Sequence, residues 1–216
     1  SIRRGISAMA ERKGWGFLAS VFVFGAVAGV LLLSAARFAA QPPRHTVHYH
    51  ANWAVFVDGE RLDLTDGRYM EDVFQCSVDP TRQRPEDRVH MHEGNHDIVH
   101  VHAAGVTWGH LAANIGFGVG DDYLFTDGAR FESSPERDLK FVLNGSRVRS
   151  IRNLSIGDRD RLLISFGPET LEEVIATQFP VVAADADHYN HVPDPATCSG
   201  PQHESLSARL RRAAWF

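Results

Sequence analysis

The chain has 216 residues, with 22 basic and 27 acidic side chains and 44% hydrophobic content. That is enough for one domain with a real core, and too apolar for a disordered chain. Six basic residues precede His45 and three follow Ala208, which leaves 13 against 26 acidic residues between them, a formal −13. A segment so acidic repels nucleic acid and anionic lipid headgroups, so nucleic acid is excluded as a partner.

The first element is an uncharged run from Trp15 to Ala36, with Arg12 and Lys13 before it and Arg37 after it. A bilayer core takes about 20 apolar residues in a helix. A secretory signal has a shorter apolar region of about 7–15 residues. The expected organisation is therefore a cytoplasmic N-terminus over 1–14, a transmembrane helix over 15–40, an extracytoplasmic α+β domain over 41–182 and an extended tail over 183–216. Arg3, Arg4, Arg12 and Lys13 precede the span, and the positive-inside bias puts that end in the cytoplasm. In a bacterium the domain is then periplasmic and the chain a single-pass protein of the inner membrane. Gly25 and Gly29 form a small-xxx-small step, which lets a neighbouring helix approach closely. Integral-membrane protein subunits and the lipid bilayer are the expected partners.

Within the domain, NWAVFVDGERLDL (52–64) alternates apolar residues around Asp58-Gly59, a β-hairpin signal. LKFVLNGSRVRSI (139–151) repeats it around Asn144-Gly145, and RLLISFG (161–167) is a further strand. Thr107 caps a short helix whose Trp108, Leu111, Ala112 and Ile115 share a face and which Gly116 stops. Residues 76–87 read as a polar loop. A second helix is expected from Glu169 to Phe179, with Leu171, Val174 and Ile175 inward and Pro180 ending it. The tail is rich in Pro, Asp and His and cannot build a core. It closes on SLSARLRRAAWF (205–216), a basic amphipathic helix with Trp215 and Phe216 as aromatic anchors for a partner.

Cys76 and Cys198 are the only cysteines. In an oxidising compartment such a pair is expected to form one disulfide, tying the tail to the domain; the alternative is two free thiols, one available as a metal ligand.

Histidine is the chief chemical resource, with twelve in the chain. His45, His48 and His50 precede the first hairpin, and HMHEGNHDIVHVH runs from His90 to His102. Residues two apart on a strand share a face. His90 with His92, His100 with His102, and His48 with His50 are thus three same-face pairs. If EGNHD is a turn, His90 falls near His102 and His92 near His100. Converging neutral imidazoles bind zinc or copper, with Glu93 or Asp97 available to orient a ring. His92-Glu93-Gly94-Asn95-His96 satisfies the H-E-x-x-H pattern of zinc proteases, but that chemistry needs a helix and Gly94-Asn95 is a turn dipeptide. No nucleophile triad, phosphate loop or dinucleotide fingerprint is present, and the chain is expected to be non-catalytic.

The closing NG turn followed by IGDRDRLLISFG resembles the end of β-grasp (ubiquitin-like) domains. That resemblance implies a small mixed sheet closed over one packed helix. HYHANWAVFVDG, HMHEGNHDIVHVHAAGVTWGHLAANIGF and LLISFG together resemble His-rich extracytoplasmic domains of prokaryotic membrane proteins that have no assigned activity. This implies a membrane-anchored, metal-binding module over about residues 48–167. One helix with a packing face, an acidic domain and a tail that orders on contact make the expected function that of a non-catalytic accessory subunit of a larger bacterial membrane complex, such as a photosynthetic reaction centre–light-harvesting complex, with a membrane-anchored periplasmic copper- or zinc-binding protein as the alternative. The span holds no histidine, so no pigment is expected to be ligated there.

Overall fold

The computed structural model describes residues 2–41, 47–72, 76, 83–192 and 204–214. It divides into two compact units, one of residues 1–45 with 203–216 and one of residues 46–202. The chain is mixed α and β, with one apolar N-terminal helix and a mixed sheet.

In the first unit, helix α1 (Ile2–Ala40) contains a 24-residue stretch, Phe17–Ala40, long and apolar enough to cross a membrane. Phe22, Phe24 and Leu32 are more than 70% exposed along it, as an apolar surface solvated by lipid would be. The last carbonyls of a helix have no partner within it. Here helix α6 (Leu206–Ala214) supplies one: Arg209 Nη2 donates to the Phe38 carbonyl at 2.8 Å and the Gln41 carbonyl at 3.1 Å. Its guanidinium also lies 3.9 Å from the centroid of the Phe38 ring. Arg212 is shared between Gln41 Oε1 and the carboxylate of Glu204. Leu206 and Leu210 on α6 stay exposed. Trp215 and Phe216, the expected aromatic anchors, lie outside the described residues.

The second unit is built on a sheet whose central strands are β1 (Tyr49–Val57) and β10 (Arg161–Gly167), the first and last in sequence, paired in parallel. On one side β1 pairs antiparallel with β4 (Ile98–Val101), which pairs with β3 (Val89–His90). On the other side β10 pairs antiparallel with β8 (Asp138–Leu143), which pairs with β9 (Ser146–Val148). β2 (Glu60–Arg61) folds back on β1. Asp58-Gly59 and Asn144-Gly145 make the two expected hairpin turns, all four residues at positive φ as a type I′ turn requires.

The pleat gives the sheet two different faces. On β1, Ala51, Trp53 and Val55 enter the main core, while Ala54 and Phe56 enter a smaller second cluster. The main core is completed by helix α3 (Trp108–Asn114). Thr107 caps it as expected, its hydroxyl accepting from His110 N, and Trp108, Leu111, Ala112 and Ile115 are buried. Gly116, at φ +81°, ends it. Gly109 is required inside this helix: a Cβ there would lie 2.3 Å from the Arg152 carbonyl oxygen.

Three features depart from the sequence expectation. Residues 118–132 form a separate antiparallel sheet of β5 (Gly118–Val119), β6 (Tyr123–Thr126) and β7 (Ala129–Glu132), turning at Asp127-Gly128. The helix expected over 169–179 is only one α turn, α4 (Leu171–Glu173), continued as a π turn over Val174–Gln178 and a 3₁₀ turn over Phe179–Val181. The wider winding still puts Val174 and Val182 into the second core, with Leu171, Ile175 and Phe179 packed against it. The loop expected over 76–87 contains helix α2 (Pro85–Arg88). Packing also continues past residue 182: helix α5 (Ala186–Tyr189) lies against β1, with Ala186 buried.

Candidate metal centre

Each histidine pair has one member on one of three adjacent strands, His50 on β1, His90 on β3 and His100 on β4, and the other just beyond that strand's end. His50 is directly opposite His100 between β1 and β4, and His90 is directly opposite His100 between β3 and β4. The row His90–His100–His50 therefore crosses the sheet. The hairpin register differs by two residues from the expected one, which leaves the face unchanged because a strand repeats every two residues. The expected proximities still arise diagonally: the His90 and His102 rings are 5.0 Å apart, and those of His92 and His100 3.8 Å. The six rings of His48, His50, His90, His92, His100 and His102 make one continuous cluster with centroid separations of 3.8–6.2 Å. All but His48 are buried.

Within this cluster, one ligand atom each from His48, His100 and His102 lies within 4.8 Å of the other two. A tetrahedral ion with bonds of 2.0–2.1 Å needs its nitrogen ligands about 3.4 Å apart. The donor set is nitrogen-only, which suits zinc or copper better than magnesium or calcium.

Two hydrogen bonds define which nitrogen carries the proton. His90 Nδ1 lies 2.7 Å from the Glu86 carbonyl, which can only accept, so His90 is protonated at Nδ1. His50 Nδ1 lies 2.8 Å from Asn190 Oδ1, which also accepts from the His50 amide at 2.9 Å. Asn190 Nδ2 in turn donates to Asp158 at 2.7 Å, so the amide orientation is set at both ends. The segment that carries Asn190 is clamped over the same sheet face. Asn52 Nδ2 donates to Asp185, Asn52 Oδ1 accepts from the Ala186 amide, and Asn95 donates to the Tyr189 hydroxyl. Sequence reading did not find Asn52, Asn95 or Asn190, since their role depends on contacts across about 94–140 positions of chain.

The H-E-x-x-H match has no metalloprotease geometry. Glu93 and Gly94 sit at φ +55° and +71°, in a turn closed by Asn95 N donating to the His92 carbonyl. His96 points elsewhere, accepting from the Leu64 amide at 2.8 Å. Asp97, expected as an orienting carboxylate, forms an ion pair with Arg61. Glu93 Oε2 does lie 3.4 Å from His92 Nδ1.

Glu71, Cys76 and Asp87 also gather their ligand atoms. Arg84 bonds both carboxylates there, and Asp87 foremost, with Glu71, raises its guanidinium pKa above the ordinary value. Both carboxylates of this group are thus engaged in an ion-pair cluster with Arg84. Cys198 lies outside the described residues, and so does its expected pairing with Cys76. Comparison with protein-family models, with curated proteins and with solved structures finds no match.

Proposed function

We propose that the chain is a membrane-anchored, non-catalytic module that binds zinc or copper through its histidine cluster. The observation that carries this reading is the approach of His48, His100 and His102 on one sheet face, where His100 and His102 are buried. Full-length protein purified in mild detergent is expected to retain about one zinc or copper per chain by elemental analysis. His100→Ala with His102→Ala should abolish retention. Metal-free protein whose thermal unfolding is unmoved by added zinc or copper would overturn the reading.

The anchor reading adds a location. The basic residues before the span support a cytoplasmic N-terminus and a periplasmic domain at a bacterial inner membrane. The parallel pairing of the first and last main strands, with α3 between the hairpin and the closing strands, supports a β-grasp arrangement. An experimental structure in which β1 and β10 are not neighbours would end that assignment.

A second reading is an accessory subunit of a larger membrane complex, and it is compatible with a bound metal. Its support is the open step on α1: a Cβ at Gly25 or Gly29 would meet nothing within 4 Å, so a second helix can pack closely there. Gly25→Leu should then reduce co-purification with membrane partners. Equal recovery of partners with the parent and the variant would count against it.

A further inference from the structure

We infer that the histidines of the cluster divide by role: His48, His100 and His102 are ligands, and His50, held by Asn190, is a positioning residue that sets which nitrogen of His100 faces the ion. This rests on the metal-binding reading above.

The argument follows the protons. Asn190 Oδ1 must be the acceptor, because it receives the His50 backbone N–H at 2.9 Å while Asn190 Nδ2 donates to the Asp158 carboxylate. His50 Nδ1, 2.8 Å from the same oxygen, must then carry its proton. A neutral His50 consequently has its lone pair on Nε2. That atom lies 3.0 Å from His100 Nδ1, so His100 Nδ1 is the donor in the pair; His92 Nε2, 3.2 Å from the same Nδ1, faces that N–H from the other side of the cluster at the longer distance. A neutral His100 protonated at Nδ1 has its own lone pair on Nε2, which is the form a ligand needs. The chain Asn190–His50–His100 thus selects one tautomer and one ring orientation of His100. Hydrogen bonds of this kind behind a metal-bound imidazole raise its basicity and fix its aim.

The placement of the residues agrees with this division. His50 uses both ring nitrogens in the relay. His100 sits at the centre of the three-strand row and belongs to the trio whose ligand atoms come together. Three protein ligands leave a fourth position on a tetrahedral ion for an exchangeable group.

The test uses full-length protein loaded with copper(II) alone. Pulsed electron paramagnetic resonance counts coordinated imidazoles, and competition with a chelator gives affinity. The parent should show three imidazoles. His50→Ala and Asn190→Ala should keep all three and weaken binding about 10- to 100-fold. The double variant should be no weaker than His50→Ala, because both remove the same relay. His50→Gln should recover most of the affinity, since its amide can accept from His100 Nδ1 and donate to Asn190. An imidazole count that falls by one in His50→Gln makes His50 a ligand and overturns the division of roles while leaving metal binding intact. Parental affinity in Asn190→Ala overturns the relay. A parent that binds no copper, or that binds it equally well without His100 and His102, sinks the metal-binding reading itself.

Discussion

Lys140 shows how much a single position can owe to its surroundings. It lies on the second face of the sheet, 6% exposed, directly opposite Ser165. Its ammonium donates to the Asp138 and Gly167 carbonyls at 2.9 and 3.0 Å. Burial lowers its pKa from 10.5, and Arg147 adds to that, against the opposing charges of Asp138 and Glu169. The charged form is therefore less welcome in the folded chain than in the unfolded one. Below the folded pKa both states hold the proton and the full penalty is present. Between the folded and unfolded values the unfolded chain binds more protons, so stability rises with pH, by about 1.4 kcal/mol per pH unit at most. Chemical denaturation from pH 8 to 10.5 should show that rise in the parent and a flatter profile in Lys140→Met. Identical profiles would mean that Lys140 titrates as it does in water.

At the scale of elements, the local rules worked where one segment decides its own geometry. The Asp58-Gly59 and Asn144-Gly145 turns and the Thr107-capped helix appear where expected, since turn chemistry and capping act over a few residues. Asp127-Gly128 carries the same signal between β6 and β7 and was readable on the same grounds. Apolar spacing after Thr170, closed by Pro180, does not distinguish an α turn from the wider π turn at Val174–Gln178. Helix α6 adds a dependence between elements. Arg209 satisfies carbonyls at the end of α1 and complements the negative end of its dipole. Arg209→Ala should cost the α6 attachment about 1 kcal/mol, read as about a fivefold faster amide exchange across residues 206–214. Arg209→Lys should rescue only part of this, because an ammonium lacks the planar fork and stacks less well on Phe38. Unchanged exchange in Arg209→Ala would show that the contact does not hold the helix.

For the whole molecule, the apolar run and the acidic domain are separate decisions of the same sequence. The span is legible because a bilayer demands about 20 apolar residues whatever follows them. Orientation is a matter of flanking charge: an engineered Ser7→Cys should stay unlabelled by a membrane-impermeant thiol reagent in intact cells. Labelling of that cysteine would reverse the proposed topology.

The amino-acid sequence by itself determined the apolar helix, the mixed α and β character, the turns at Asp58-Gly59 and Asn144-Gly145, helix α3 and the same-face histidine pairs. Each depends on spacing within a short window, and strand periodicity alone puts His48 with His50, His90 with His92 and His100 with His102. Only the tertiary structure decided that β1 lies between β4 and β10, which brings the three pairs onto one surface. It also decided that α5 lies against β1 and that Asn190 reaches His50 across 140 positions of chain. Such choices depend on which long loops close and what they bury together, a balance of chain entropy and packing over the whole domain that no local pattern encodes.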